Sequence, residues 1–132
     1  MKILIEVIPH NEQRLGGEGD WIWEGENLRV RVSDMKDWKY NFLLARHEMD
    51  EAVLCRNAGI TTDMVDQDEL KAGDNDDPDS LTGYPGSCYQ QQHNDALVAE
   101  WIMARNLGVK WEDYGEAFHK LKKKPEKFKR DK

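Results

Sequence analysis

From Ile3 to Ile8 the chain alternates Ile3, Ile5 and Val7 with Leu4, Glu6 and Ile8, and Pro9 ends the run. Apolar residues on both sets of positions predict a largely buried strand. Gly16, Gly17 and Gly19 then break the pattern. From Asp20 to Ser33 a hairpin is predicted: Trp21, Ile22 and Trp23 lead into the polar turn Glu24-Gly25-Glu26-Asn27, after which Leu28, Val30 and Val32 alternate with Arg29 and Arg31. The arginines assign one face of this ribbon to solvent. A helical period runs from about Trp38 to Ala58, with Ser33 or Asp34 as its cap and Gly59 as its stop. Residues 61–90 follow no period; they hold eight acids between Asp63 and Asp79 and the breakers Gly73, Pro78, Gly83, Pro85 and Gly86, which predicts a long acidic loop. A second amphipathic helix is expected from about Gln91 to Leu107, ending at Gly108, and a shorter one from Trp111 to Leu121. The expected fold class is α+β, a small N-terminal antiparallel sheet of about three strands packed on two long helices plus a short C-terminal helix. It forms a single domain over residues 1–121, followed by a basic tail at 122–132.

At about 100° per residue, His47 and Glu51 fall in the middle of the apolar stripe of Leu43, Leu44, Leu54 and Ala58, while Arg46, Met49, Asp50 and Arg56 take the opposite side. The second long helix repeats the arrangement, with His93 and Glu100 among Ala96, Leu97, Ala104 and Leu107. Ionisable groups on a buried face are normally paired, protonated or bound to a metal, because an unpaired buried carboxylate is costly. In His47-Glu48-Met49-Asp50-Glu51, residues i and i+4 are neighbours, so His47 and Glu51 reach one cation. Glu48, a further 100° or so around, can address a water on that cation without ligating it. This is the logic of the His-Glu-x-x-His zinc motif with glutamate in place of the second histidine, and His93 completes a set of two imidazoles and one carboxylate. Glu100 lies about 10.5 Å of helix rise beyond His93, too far to share the cation. Its expected place is behind a ligand, accepting a histidine ring N–H. The competing reading makes the same residues ordinary hydrogen-bonded pairs across a helix interface, with Glu100 paired to an arginine or a protonated histidine. His10 is read as a solvated loop histidine, His119 has no assigned role, and Asp66 and Asp68 either cap a short helix or add to a metal site.

Composition narrows the classes. The chain has 132 residues and a net charge of −7, unevenly placed: Lys120–Lys132 carries +6 and the residues before it −13. An acidic body excludes a nucleic-acid-binding face there and leaves only the tail for such contact. Cys55 and Cys88, without a Cys-x-x-Cys motif, fit a reducing cytoplasm. No apolar run has the length of a membrane span, and the first residues enter a strand pattern and not a signal peptide. The stretch from Asp74 to Ser80 lacks the glycine and distal glutamate of a calcium loop and reads as a solvated loop. No phosphate-cradling glycine loop, Gly-x-Ser-x-Gly elbow or Cys/His couple is present.

Three stretches carry a family resemblance: Glu6-Val7-Ile8-Pro9-His10, the helix His47-Glu48-Met49-Asp50-Glu51-Ala52-Val53-Leu54-Cys55, and His93 with Glu100. Together they resemble small phage and prophage proteins that look like minimal zincin-type metallopeptidase domains. The resemblance implies a small sheet ahead of the His-Glu helix, a later helix supplying another ligand, and residence in the host-cell cytoplasm. Glutamate at position 51 departs from the usual motif, so peptidase activity does not follow from it. The leading expectation is a zinc-binding protein, or one holding another divalent transition metal, with His47, Glu51 and His93 as ligands. If it is catalytic it is a metal-dependent hydrolase with Glu48 as general base. The alternatives are a non-catalytic phage accessory protein with a structural His/Glu cluster, acting on an unidentified protein or peptide partner, and a magnesium-dependent nucleotide hydrolase suggested by Glu48-x-x-Glu51.

Overall fold

The structure, a computed structural model, describes residues 1–72 and 86–122. Strands β1 (Ile3–Ile8), β2 (Gly19–Glu24) and β3 (Asn27–Ser33) precede helices α1 (Trp38–Asn57), α2 (Thr62–Ala72), α3 (Gln90–Asn106) and α4 (Trp111–Lys122). The chain is α+β, with a three-stranded mixed sheet and four helices. The hairpin forms as predicted, with Trp21 opposite Val30 and Trp23 opposite Leu28. The sheet is not antiparallel throughout. Its order is β1-β3-β2, and β1 runs parallel to β3, with Ile3 beside Leu28 and Val7 beside Val32. The reason lies in β3: Leu28, Val30 and Val32 make the most apolar single face, all three are buried, and the central position buries them most completely.

That order also corrects the reading of β1 as a buried strand. Helix α1 packs on β2 and β3 and against α3, so β1 lies past its flank at the sheet edge and Ile3, Leu4, Ile5 and Val7 are exposed. The cap of α1 is Asp37, whose carboxylate accepts from the Lys39 amide at 2.8 Å. Ser33 ends β3, and Asp34 instead accepts from the Lys36 amide to build the turn before the helix. Gly59 and Gly108 end α1 and α3 with φ of 77° and 70°, a left-handed conformation that glycine adopts without strain. Residues expected to be loop form α2, held by Val65 in the core and by an Arg14–Asp66 ion pair at 3.1 Å. Residues 73–85 of the expected acidic loop, including Asp74–Ser80, and the basic tail beyond Lys122 lie outside the described residues.

One cluster, with Trp21, Leu28, Val30, Val32, Leu44 and Cys55, fills the space between sheet and α1. A second, of Leu43, Ala104 and Tyr114, joins α1, α3 and α4. Polar side chains lie between them. No helix among the described residues is long and apolar enough to cross a membrane.

Candidate metal centre

His47, Glu48 and Glu51 from α1 meet His93 and Glu100 from α3 in the interior, and each is 8% exposed or less. The helical period alone places them so, since both helices turn these residues toward each other together with Leu43, Ala96 and Ala104. His47 Nε2, Glu51 Oε2 and His93 Nδ1 form a triangle with sides of 3.2, 3.0 and 3.3 Å. Ligand atoms about 2.0–2.1 Å from a tetrahedral zinc stand roughly 3.3–3.4 Å apart, so the triangle has close to the spacing of three tetrahedral donors. These three residues are the one group among the described residues whose ligand atoms are gathered closely enough to hold a metal ion.

Protons alone satisfy this triangle poorly. If both ring nitrogens carry hydrogen, both donate to Glu51 Oε2 and the two N–H groups crowd each other across 3.3 Å. If only one does, the other nitrogen turns a lone pair toward a carboxylate oxygen 3.0 or 3.2 Å away. With Glu51 ionised, each assignment leaves one crowded side, whereas a cation at the centre accepts all three lone pairs.

The surrounding residues fix the donors. Trp21 Nε1 donates to Glu51 Oε1 at 3.0 Å, which engages one carboxylate oxygen and leaves Oε2 for the triangle. Glu100 Oε1 stands 2.8 Å from His47 Nδ1, though off the axis of a straight hydrogen bond, and the Tyr114 hydroxyl donates to the other Glu100 oxygen. Glu100 thus stands beside His47 on the facing helix and not beside His93 on its own. Glu48 Oε2 is 3.9 Å from His47 Nε2, beyond hydrogen-bond reach. Its side chain occupies the space a Cβ would fill at Gly19, where an added carbon would stand 2.6 Å from Glu48 Cγ. Glycine at the start of β2 is thus explained by the carboxylate packed over it.

Beside the triangle is a cleft of about 150 Å³. Leu97, Trp111 and Phe118 supply apolar lining, and Glu18 and Glu69 add carboxyl groups to those of the cluster. Burial opposes a charged His47, yet the carboxylates of Glu100, Glu51 and Glu48 prevail and hold its pKa well above the ordinary imidazole value. Burial likewise opposes the Glu51 carboxylate, but hydrogen bonds from His47, His93 and Trp21 override it and bring Glu51 down to about 2. Burial, then the charge of Glu51, pushes Glu48 well above the carboxylate range. Glu69, half-buried and accepting from the Tyr89 hydroxyl at 3.4 Å, is raised to about 8 by desolvation and then by Glu51 and Asp20.

Sequence reasoning did not find Trp21, Tyr114, Gly19 or Glu69. Trp21 reads as part of the hairpin, Tyr114 carries no reading of its own, and Glu69 lies in the segment expected to be loop. His10 is outside the cleft, with Nδ1 2.8 Å from Ser33 Oγ, and His119 is exposed on α4. Asp66 pairs with Arg14, and Asp68 accepts from the Cys88 amide at 2.6 Å. Neither joins the triangle. Comparison with protein-family models, with curated proteins and with solved structures gives no match.

Proposed function

We propose that the protein is a zincin-like zinc-binding hydrolase in which His47, Glu51 and His93 hold the metal and Glu48 is the general base. The observation that carries this reading is the triangle of three buried donors at tetrahedral spacing. Two imidazoles with one carboxylate favour zinc or a similar borderline cation over magnesium, which prefers an oxygen shell, and so argue against the nucleotide-hydrolase alternative. Zinc bound there supplies Lewis acidity, polarising a substrate carbonyl or phosphoryl oxygen and lowering the pKa of water.

The chain's own residues do the rest. Glu48, aimed into the cleft and raised in pKa, accepts a proton from the attacking water and returns it to the leaving group. Glu100, steadied by Tyr114, holds the His47 ring with Nε2 toward Glu51 and His93, where it would bind the metal. Trp21 engages Glu51 Oε1 and would leave Oε2 to hold the metal. The apolar lining from α4 excludes bulk water and offers a surface for an apolar part of the substrate. An accessible cleft beside Glu48 supports a catalytic role over a closed structural shell, which would leave no position for substrate.

Metal analysis of protein purified without a histidine tag tests the binding. About one zinc per chain and a rise in melting temperature on adding Zn²⁺ are expected; absence of both overturns the site. For catalysis, Glu48→Gln is expected to retain zinc and to abolish hydrolysis across a panel of peptide and ester substrates. Hydrolysis that survives this change removes Glu48 as the base.

A further inference from the structure

Among the described residues no strand pairs with the outer edge of β1. Native sheets blunt such edges with charge, proline or a bulge, but this one presents an unbroken Ile3-Leu4-Ile5 that is 46%, 52% and 45% exposed, followed by Val7 at 48%. The backbone has one regular pattern of free groups. The Leu28 amide donates to the Lys2 carbonyl and the Asp34 amide to the Ile8 carbonyl, so the even-numbered residues of β1 face β3. In a parallel pair the alternate residues then turn their N–H and C=O outward, and these are Ile3, Ile5 and Val7.

This pattern restricts what can add to the edge. In an antiparallel pair, residues with outward groups must oppose one another, so two copies of β1 pair only in registers where the two residue numbers sum to an even value. One of these registers, centred on Leu4, sets Lys2 against Glu6 of the second copy on both sides of the axis. It also sets Ile3 against Ile5 as hydrogen-bonded pairs and Leu4 against Leu4 on the axis itself. Shifting the centre to Ile3 or Ile5 puts Lys2 or Glu6 opposite an apolar residue. The segment Lys2-Ile3-Leu4-Ile5-Glu6 is therefore complementary to itself in charge, in apolar matching and in backbone polarity.

We propose that β1 is a homodimer interface, two copies joining antiparallel about a two-fold axis at Leu4 into one six-stranded sheet. Ile3, Ile5 and Val7 lie on the same face as Leu28, Val30 and Val32, so the dimer closes an apolar shelf alongside α1, where Met1 and Val53 line a common groove. Lys2 and Glu6 meet on the other face, where Glu6 already holds Arg29 at 2.9 Å. A second copy is the occupant that the alternation of charge selects. The interface stands on the sheet edge alone and does not depend on the metal reading.

Sedimentation velocity of the full chain over a concentration series tests this. The wild type is expected to show a reversible dimer, with the Ile3 and Ile5 amides gaining exchange protection as it forms. Leu4→Lys places two ammonium groups on the axis and should raise the dimer dissociation constant at least about tenfold without changing the circular dichroism spectrum, since Leu4 is exposed in the monomer. Lys2→Glu should weaken the dimer, and the double variant Lys2→Glu/Glu6→Lys should recover part of the loss. A wild type that stays monomeric throughout, or a dimer indifferent to Leu4→Lys, overturns the proposal.

Discussion

At the scale of single residues, the cluster depends on groups that touch no ligand atom of the triangle. Gly19→Ala would drive a methyl into Glu48 Cγ and Cδ, at 2.6 and 2.7 Å. The carboxylate must then leave its place over β2. Zinc content is expected to hold while hydrolysis falls sharply, with a stability loss of about 1–3 kcal/mol seen in chemical denaturation. Tyr114→Phe removes the hydroxyl donated to Glu100. An unsatisfied buried acceptor costs about 1–3 kcal/mol, and loss of support behind a histidine ligand weakens zinc by roughly tenfold or more, measurable by competition with a chelator. Unchanged zinc affinity would show that Glu100 does not support His47. The sequence made His47, Glu51, His93 and Glu100 visible because charge on an apolar helical stripe is a local contradiction that one wheel exposes. Gly19 and Tyr114 break no local rule. Their roles come from tertiary neighbours 29 and 14 residues away in the chain, which no periodic pattern encodes.

At the scale of elements, the two long helices and the hairpin were legible because each is governed by its own period and its own stop residues. Strand order was not. Hydrophobic alternation says which face of a strand is buried, but β1 took the far side of β3 through competition among three strands for one central position. Helix α2 was hidden by its acids, which argued for a loop while Val65 and the Arg14–Asp66 pair held the segment against the body. The cap of α1 likewise fell three residues later than Asp34, because Asp34 is engaged in the preceding turn. Asp37→Ala is expected to destabilise the protein by about 1 kcal/mol through loss of the bond to the Lys39 amide. The same substitution at the predicted Ser33 position would report on β3 and not on the helix.

At the scale of the whole molecule, burial of carboxyl groups makes stability depend on pH in two opposed ways. Glu69 has a folded pKa near 8 against 4.5 when free, so its contribution is complete below about pH 4.5 and is lost as pH rises through about 8. Glu51, at about 2, works the other way, stabilising above about pH 4.5 and failing on acidification toward 2. The metal-free protein should therefore melt at lower temperature near pH 9 than near pH 5, and Glu69→Gln should flatten that decline. An unaltered profile in the variant would remove Glu69 as its cause. Added zinc should stabilise most at the alkaline end, because its ligands bind deprotonated. Topology also sets an order of assembly. The hairpin joins residues adjacent in the chain, whereas each contact of β1 with β3 must close a span of 25 residues with β2 already inside it. Loop closure of that kind is slow and comes after local pairing. The strand nearest the beginning of the sequence therefore docks after the hairpin whose edge it joins.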